Sequence, residues 1–538
     1  MGKWKVHCET SRFKKGSGGH FPRRLPFKTV YRHRSPAQTG RESSTRESHH
    51  HGWQRREHDS QLYKSYIRQQ SLPTCIGDQR RSNVRTDLLN MIVMDLQPLS
   101  LVEEKGFQHF VQILHPSADI PLSTSWIRAE LLKMYEHTRQ KVQQEVSNAK
   151  DLVLSAEMWI SSKDASYLTV TCHFIDENWE LKSYTLETAH LLGEHTPENV
   201  HQQLGRISTE WKIMDKIQVV VVNVDGMKKQ KARWTYMPCF GHTLNKVFNE
   251  AMDNSDWRGL LKKCRRIVAF FHQKSEALRN VQLTQSPGVD WLPVLTMLEN
   301  ISDQWLSIST EFMNRQEENL WLNEKERMML DSAVVAIRVI KKVVEELGES
   351  GYSSVSNIIP LCDKLQSSLE HLGRNGNKVA QRLAERCGHH MGSIKQNVLF
   401  SVSTALDPRF KSSVLQHFEK IKACIKEEMR KQGSGASRSG CKKEHGGKIS
   451  YEDVLLHRYS AESDTSGTLN PLEFWATKND FKELTIVARK YLTVVSTAIP
   501  IERVMQQEKS QLIFNRRKCV ELENINMMLF LNNNHAKI

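Results

Sequence analysis

The sequence predicts an α+β fold, and three observations predict it: an alternating hairpin, a wholly apolar strand after it, and long helical periodicity on either side. In residues 151–176, DLVLSAEMWISSKDASYLTVTCHFID, side chains alternate with the two-residue period of a strand. Val153, Ser155, Glu157 and Trp159 share one face, and Leu152, Leu154 and Met158 the other. After a break at 161–165, residues 167–175 are again β-branched and aromatic, so an antiparallel hairpin is expected. A third run, 179–192, follows the turn Asp176-Glu177-Asn178. The fourth, IQVVVVN at 217–223, is apolar without interruption, as suits a central strand buried on both faces.

Ahead of the sheet, residues 1–75 are rich in Arg, Lys, His, Ser and Gly and poor in aliphatics. Such a segment buries too little apolar surface to offset its ordering entropy and is expected to be a disordered basic tail. From Ser82 the pattern is helical: Val84, Leu88, Leu89, Ile92, Val93 and Leu96 form a stripe that stops at Pro98. Further helices are expected over 102–114 and 123–149, making 80–149 a helical module. Past the sheet, the chain from Asp225 reads as helix broken near Pro238, and 238–252 resumes it. A long helical region over 257–430 follows, then a Gly/Ser/Lys stretch at 431–447 that reads as a loose linker. Residues 470–531 return to apolar helical periodicity. The expected domains are 1–75, 80–149, 150–252, 253–465 with a flexible loop at 431–450, and 468–538.

At 538 residues the chain is too long for one ordinary core. Its net charge of +15 and pI near 9.2 favour a polyanionic partner, nucleic acid above all. No apolar run reaches the roughly 20 residues that a membrane-spanning helix needs, so no membrane partner is expected, and the first residues carry no secretory pattern. The 10 cysteines are scattered singly without any CxxC, which argues for a reducing interior and against a zinc finger or redox pair read from spacing. In the tail, Arg23, Arg24, Arg32, Arg34, Arg55 and Arg56 are candidate phosphate contacts or a nuclear address, against the preferred reading of a merely solvated tail.

Five stretches resemble the hAT superfamily of DNA transposases, and specifically the BED zinc-finger group of proteins derived from them. Residues 88–114 are similar to the segment after the BED finger, and 154–176 to the family's TTDMWTS...SYLTVTAHFI hairpin. CFGHTLNKVF (239–248) resembles the CxxHxLNxxV helix, and STALDPRFK (403–411) the LDPRFK landmark. Residues 474–504 with 515–534 resemble the C-terminal dimerisation block. The resemblance implies an RNase H-like domain interrupted by a large all-α insertion, with the last helices completing it. It also implies a symmetric homodimer, for which Trp475, Leu484, Tyr491, Leu492, Leu529, Phe530 and Leu531 are the candidate surface; the alternative is that this surface is internal core. The BED finger itself is not found before residue 80, where only Cys8 and Cys75 occur.

Transposases of this fold cut DNA by a two-metal route, with Mg²⁺ ions roughly 3.5–4 Å apart held by carboxylates. The resemblance places the first carboxylate at Glu157, where the family has Asp; the extra methylene displaces it by on the order of an ångström. Aligning the family's VTDNAANM on Met227 places Val222 at the second position, with Asp225 the possible substitute. Glu502 keeps the third. With one ligand intact, one lengthened and one missing, the catalytic site is expected to be degenerate. No cofactor is expected, and no small-molecule substrate; Mg²⁺ enters only in the alternative reading.

In the family a Trp stacks on a flipped base, which makes Trp291 a DNA-binding candidate; Asp290 replaces the accompanying Arg, and core packing of Trp291 is the preferred reading. Cys239 and His242 keep the CxxH spacing but make only half of a closed zinc site, so a structural helix start is preferred over metal binding.

The expected function is that of a domesticated, catalytically inactive hAT transposase-like protein, nuclear, dimerising and DNA-associated, acting in transcription or chromatin. Two alternatives stay open. One is an active Mg²⁺-dependent transposase or nuclease using Glu157, Asp225 and Glu502. The other is a protein-interaction scaffold, or a SUMO-ligase-like factor, without DNA binding.

Overall fold

The structure is a computed structural model and describes residues 79–114, 121–193, 195–273, 283, 290–349, 353–411, 414, 418–433, 450–462, 464–467, 469–499 and 508–537. The basic tail with its six candidate arginines, Glu502 and most of the loop 431–450 lie outside the described residues.

β1 (Leu152–Ile160) pairs on both sides and so organises the sheet. It runs antiparallel to β2 (Ser166–Ile175), which runs antiparallel to β3 (Leu181–His190). On its other side it runs parallel to β4 (Ile217–Val222), itself parallel to β5 (Thr235–Pro238). The order is β3-β2-β1-β4-β5, a mixed sheet that fits the RNase H-like description. The four expected strands form with shorter bounds: the third spans Leu181–His190, beginning late because Trp179 sits in the turn with φ +62°, and the fourth ends at Val222. There the Asp176 carboxylate accepts from the amides of Asn178 and Glu180, each at 2.9 Å.

β5 corrects the sequence reading, which continued helix from Asp225. Four residues are too few to display a two-residue period, and Thr235–Pro238 becomes a strand by pairing with β4. The Cys239 amide extends that pairing to the Val222 carbonyl at 2.7 Å.

Helices precede, bridge and follow the sheet. First come α1 (Gln79–Asp95), α2 (Lys105–Leu114) and α3 (Thr124–Asn148). The helix expected over 102–114 is divided, because Leu99–Glu103 forms a separate 3-10 turn. α4 (Pro197–Glu210) connects β3 to β4, opened by Pro197 and by the Thr196 hydroxyl accepting from the Asn199 amide at 3.2 Å. α5 (Phe240–Ala251) leaves β5. The chain then runs through α6 (Ser255–Gln273), α7 (Trp291–Asp303), α8 (Trp305–Arg315), α9 (Glu324–Glu349), α10 (Ile358–Arg374), α11 (Lys378–Lys395), α12 (Val398–Leu406), α13 (Phe418–Gly433), α14 (Tyr451–Ala461), α15 (Pro471–Ala476) and α16 (Lys482–Leu492). It ends in α17 (Glu508–Cys519) and α18 (Ile525–Asn534).

One sheet face, with Leu154, Ala156, Val170 and Val222, packs on α3, α4 and Phe530 of α18. The other face divides. Val153, Val219 and Val221 join the core of the helical region, whereas Trp159 and Tyr167 pack with α1, α3 and Leu529 and Leu531 of α18. The last helix thus reaches two of three cores.

α18 also covers the outer edge of β3. Asn534 accepts from the Thr185 amide at 2.9 Å and donates to its carbonyl at 2.7 Å, and Asn526 accepts from the Thr188 amide at 2.9 Å. Side-chain amides here stand in for a sixth strand and close an edge that would otherwise template pairing. This corrects the proposed dimer surface. Trp475, Leu484, Leu492, Leu529, Phe530 and Leu531 are all buried within one protomer, and Tyr491 packs partly buried on the helical core. Their apolar character is spent on joining the C-terminal helices to their own chain.

The LDPRFK stretch is a structural joint. Asp407, fully buried, accepts from Arg409 Nε at 3.0 Å, Arg409 Nη2 at 2.8 Å and Ser356 Oγ at 2.7 Å. Arg409 also donates to Asn357 at 2.8 Å, Lys411 to the Tyr459 carbonyl at 3.0 Å, and Trp475 Nε1 to the Leu406 carbonyl at 2.8 Å. These bonds tie the end of α12 to the start of α10, to α14 and to α15. Asp407→Ala leaves a buried guanidinium without its carboxylate and should cost about 3–5 kcal/mol. Thermal unfolding followed by circular dichroism checks this, with Asp407→Leu/Arg409→Met expected to recover most of the loss.

Candidate functional site at the carboxyl ends of β1 and β4

The face that carries Glu157 is polar in rows across three strands. His173 lies between the hydroxyls of Ser155 and Ser183, 2.8 Å from each. Thr171 meets Thr185 at 3.3 Å and Thr169 meets Thr188 at 3.1 Å. Trp159, Tyr167 and His190 stack in sequence, with ring centroids 5.0 and 5.2 Å apart. The pairing of β1 with β2 sets these rows by placing Glu157 opposite Thr169 and Trp159 opposite Tyr167. Burial pushes the His173 imidazole down to about 3, with Lys537 adding to the shift, so the ring is neutral.

Glu157 is buried on this face, and its partner comes from 360 residues away. Arg517, near the end of α17, donates through Nη1 to Glu157 Oε2 at 3.0 Å and through Nη2 to Thr169 Oγ1 at 3.1 Å. Its guanidinium lies over the Trp159 ring, 3.8 Å from the centroid, and Trp159 Nε1 donates to the same Thr169 hydroxyl at 3.0 Å. Both charged side chains are only 6% exposed. A carboxylate in such a place is stable only with a paired cation and further hydrogen bonds, and Arg517 supplies the cation. The end of α17 is fixed again where the Lys518 carbonyl accepts from the Ser162 amide at 3.1 Å and hydroxyl at 2.8 Å.

The other site residues named from sequence do not join Glu157. Val222 pairs in register with Ala156 and points to the opposite face, into the core with Leu154. Asn223 follows it and continues the ladder with its side chain, accepting from the Met158 amide at 2.8 Å and donating to its carbonyl at 3.0 Å. Asp225 is 68% exposed, 3.1 Å from Lys246 and 3.8 Å from His242. Desolvation lowers the His242 pKa, and Asp225 opposes the shift. Desolvation likewise raises the Asp290 carboxyl, with His242 and Lys518 pulling it back.

Trp291 is 2% exposed inside the helical core, which rules out base stacking without rearrangement of α7. Cys239 is fully buried; its sulfur accepts from the Ala498 amide at 3.2 Å, and burial raises its pKa, which keeps it a thiol. Among the described residues no three His, Cys, Asp or Glu side chains gather as a metal-holding group.

Sequence reasoning missed Arg517 and Asn223. The only signal for the first was the basic run Arg516-Arg517-Lys518 at the end of a helix, where such residues are ordinary. Asn223 was included in the fourth strand without a role.

Residues 155–234 match the ZBED1 RNase-like domain, and residues 455–535 match the hAT family C-terminal dimerisation region. These two matches make the chain similar to hAT transposase-derived proteins of the BED zinc-finger group. Glu157 falls in the first matched region and Arg517 in the second, so the ion pair joins the two parts that match. Among its relatives, human "Zinc finger BED domain-containing protein 4" is 22% identical over 362 residues, 62% of this chain and 31% of that protein. "Putative AC transposase" of Zea mays is 28% identical over 127 residues, 23% of this chain and 16% of its own length. "Putative transcriptional regulator tpeD" of Talaromyces stipitatus is 19% identical over 265 residues, 41% of this chain and 31% of its own. The chain thus spans less than a third of the length of each. No helix among the described residues is long and apolar enough to cross a membrane.

Arg517→Ala should destabilise the fold by about 3–5 kcal/mol, because Glu157 stays buried without its partner. Pairing it with Glu157→Gln should restore part of that loss, and a double-mutant cycle in thermal unfolding measures the coupling. For His173 the folded pKa lies below the ordinary 6.5. Below that pH the unfolded chain takes up a proton that the folded chain refuses, so stability should fall as pH drops from 6.5 toward about 3. The group contributes no slope above that window, and His173→Gln should flatten the decline in denaturant titrations run across the range.

Proposed function

We propose that this hAT-derived chain is a non-cutting, DNA-associated protein that acts in the nucleus as a dimer, in transcription or chromatin. The observation that carries the loss of cutting is the Glu157–Arg517 ion pair. A two-metal site needs its carboxylates to face divalent cations, with oxygen ligands at close to 2.0–2.1 Å. Here a guanidinium meets the first carboxylate, the second position is a valine turned to the other face, and Asp225 is engaged by Lys246. That donor set does not suit paired Mg²⁺ ions.

The finer architecture follows the same reading: an RNase H-like domain (150–252, completed by 468–538), interrupted by a helical insertion (253–465) and preceded by a helical module (80–149). Its support is the return of the chain to the sheet after α16. The Phe240 amide donates to the Ser496 carbonyl at 3.0 Å, Ala498 reaches Cys239, and Arg517 reaches Glu157. The match of 455–535 to a dimerisation region supports the homodimer, formed by surface other than the buried residues named above. The net charge of +15 and the BED-group relatives support DNA association and a nuclear site of action.

Purified chain incubated with plasmid or transposon-end DNA and Mg²⁺ or Mn²⁺ should give no strand breaks above the background of a Glu157→Gln variant. Metal-dependent cleavage that disappears in Glu502→Gln would overturn the non-cutting reading.

A further inference from the structure

The reading of DNA association leaves open which surface meets the DNA. Residues 226–249, GMKKQKARWTYMPCFGHTLNKVFN, contain five cations, Lys228, Lys229, Lys231, Arg233 and Lys246, and neither Asp nor Glu. A solvated basic face of an ordinary domain is interleaved with acids; this stretch is not. Its position is also particular. It leaves the carboxyl end of β4, beside the carboxyl end of the parallel β1, the edge of an open sheet at which ligands are commonly bound.

The loop is a fixed platform. Gly226, at φ +84°, turns the chain out of β4, and a Cβ there would stand 3.1 Å from Pro197. Met227 and Trp234 anchor the two ends in the core of the sheet. Between them the Lys229 amide donates to the Gly226 carbonyl at 3.1 Å and the Gln230 amide to the Met227 carbonyl at 3.0 Å. The Gln230 side chain donates to Glu198 at 2.8 Å, which pins the loop to the start of α4. Lys228, Lys229 and Lys231 are left exposed on this frame. Arg233 pairs with Asp215 at 2.6 Å, but no acid among the described residues forms an ion pair with the three lysines. Holding three ammonium groups close together without counter-charge is unfavourable, and a polyanion relieves it.

Other cations surround the same end of the sheet. Lys163 is exposed in the β1–β2 turn, next to Ser162, which bonds the Lys518 carbonyl. Lys518 acts on Asp290, Asp290 on His242, and Asp225 stands between His242 and Lys246. Asp225 and Asp290 therefore each have a cation nearby, and with the exposed Asp164 of the β1–β2 turn counted the balance at this end is still positive.

We infer that Lys228, Lys229 and Lys231, displayed by the anchored loop at the carboxyl end of β4, grip the phosphodiester backbone of duplex DNA without reading its bases. The inference rests on the DNA-associated reading above and gives it a location. Lysines serve as point charges on phosphates and carry no sequence information, so the contact sets affinity and salt dependence rather than site choice.

The test compares the full chain with K228A/K229A/K231A and K228R/K229R/K231R in fluorescence anisotropy on a labelled random-sequence duplex across a salt series. The alanine variant should bind roughly tenfold to a hundredfold more weakly near physiological salt, with a slope of log K against log salt shallower by about 2–3. The arginine variant should keep both, and thermal unfolding of both variants should match the parent because the side chains are exposed. In the unmutated chain, bound duplex should shield these lysines from amine acetylation read by mass spectrometry. A parent chain that binds duplex normally, with an unchanged alanine variant and unshielded lysines, overturns the loop assignment alone. A parent chain that does not bind duplex overturns the DNA-associated reading as well.

Discussion

A buried carboxylate must be neutralised, and in this chain the site of Glu157 is neutralised from within. The sheet places Glu157 on a face closed to water, where an ionised group costs several kcal/mol unless a cation accompanies it. A transposase of this fold solves the same problem with metal ions. Here Arg517 meets the carboxylate through one terminal nitrogen and Thr169 through the other, with Trp159 lying under its plane. The arginine thereby makes the position of α17 a condition of the stability of the sheet.

That dependence reaches through the C-terminal helices as a whole. α17 is fixed by Arg517 and by the Lys518 carbonyl, and α18 closes the β3 edge with Asn526 and Asn534 while burying Leu529, Phe530 and Leu531. Residues that looked like a surface for a partner are thus committed within one chain. An apolar helix at a terminus has two ways to satisfy its side chains, against its own chain or against a second copy, and composition does not separate them. The hydrogen bonds to β3 do, because they tie the helix to one particular backbone edge.

Several motif residues with chemical character prove to be joints. Asp407 and Arg409 hold helices together through a fully satisfied buried network; Cys239 begins α5 as a thiol; Trp291 fills the helical core. Recurrent charged or sulfur-bearing residues are as easily kept for folding as for reaction, since a buried ion pair that loses one partner is costly. The groups left facing solvent at the end of the sheet are, by contrast, mostly lysines.

The sequence by itself determined what depends on near neighbours: the strands β1 to β4, which face Glu157 takes, the helical character of most of the remainder, and the family resemblance. Periodicity is local, and seven or eight residues suffice to display it. β5 escaped because four residues cannot. Tertiary structure alone decided that Val222 turns away from Glu157, that Asn223 bonds Met158, and that α18 lies on β3. It alone chose Arg517 from a run of three basic residues and set it against a carboxylate 360 positions earlier. Such pairings arise from how the folded chain closes on itself, and no spacing along the sequence encodes them.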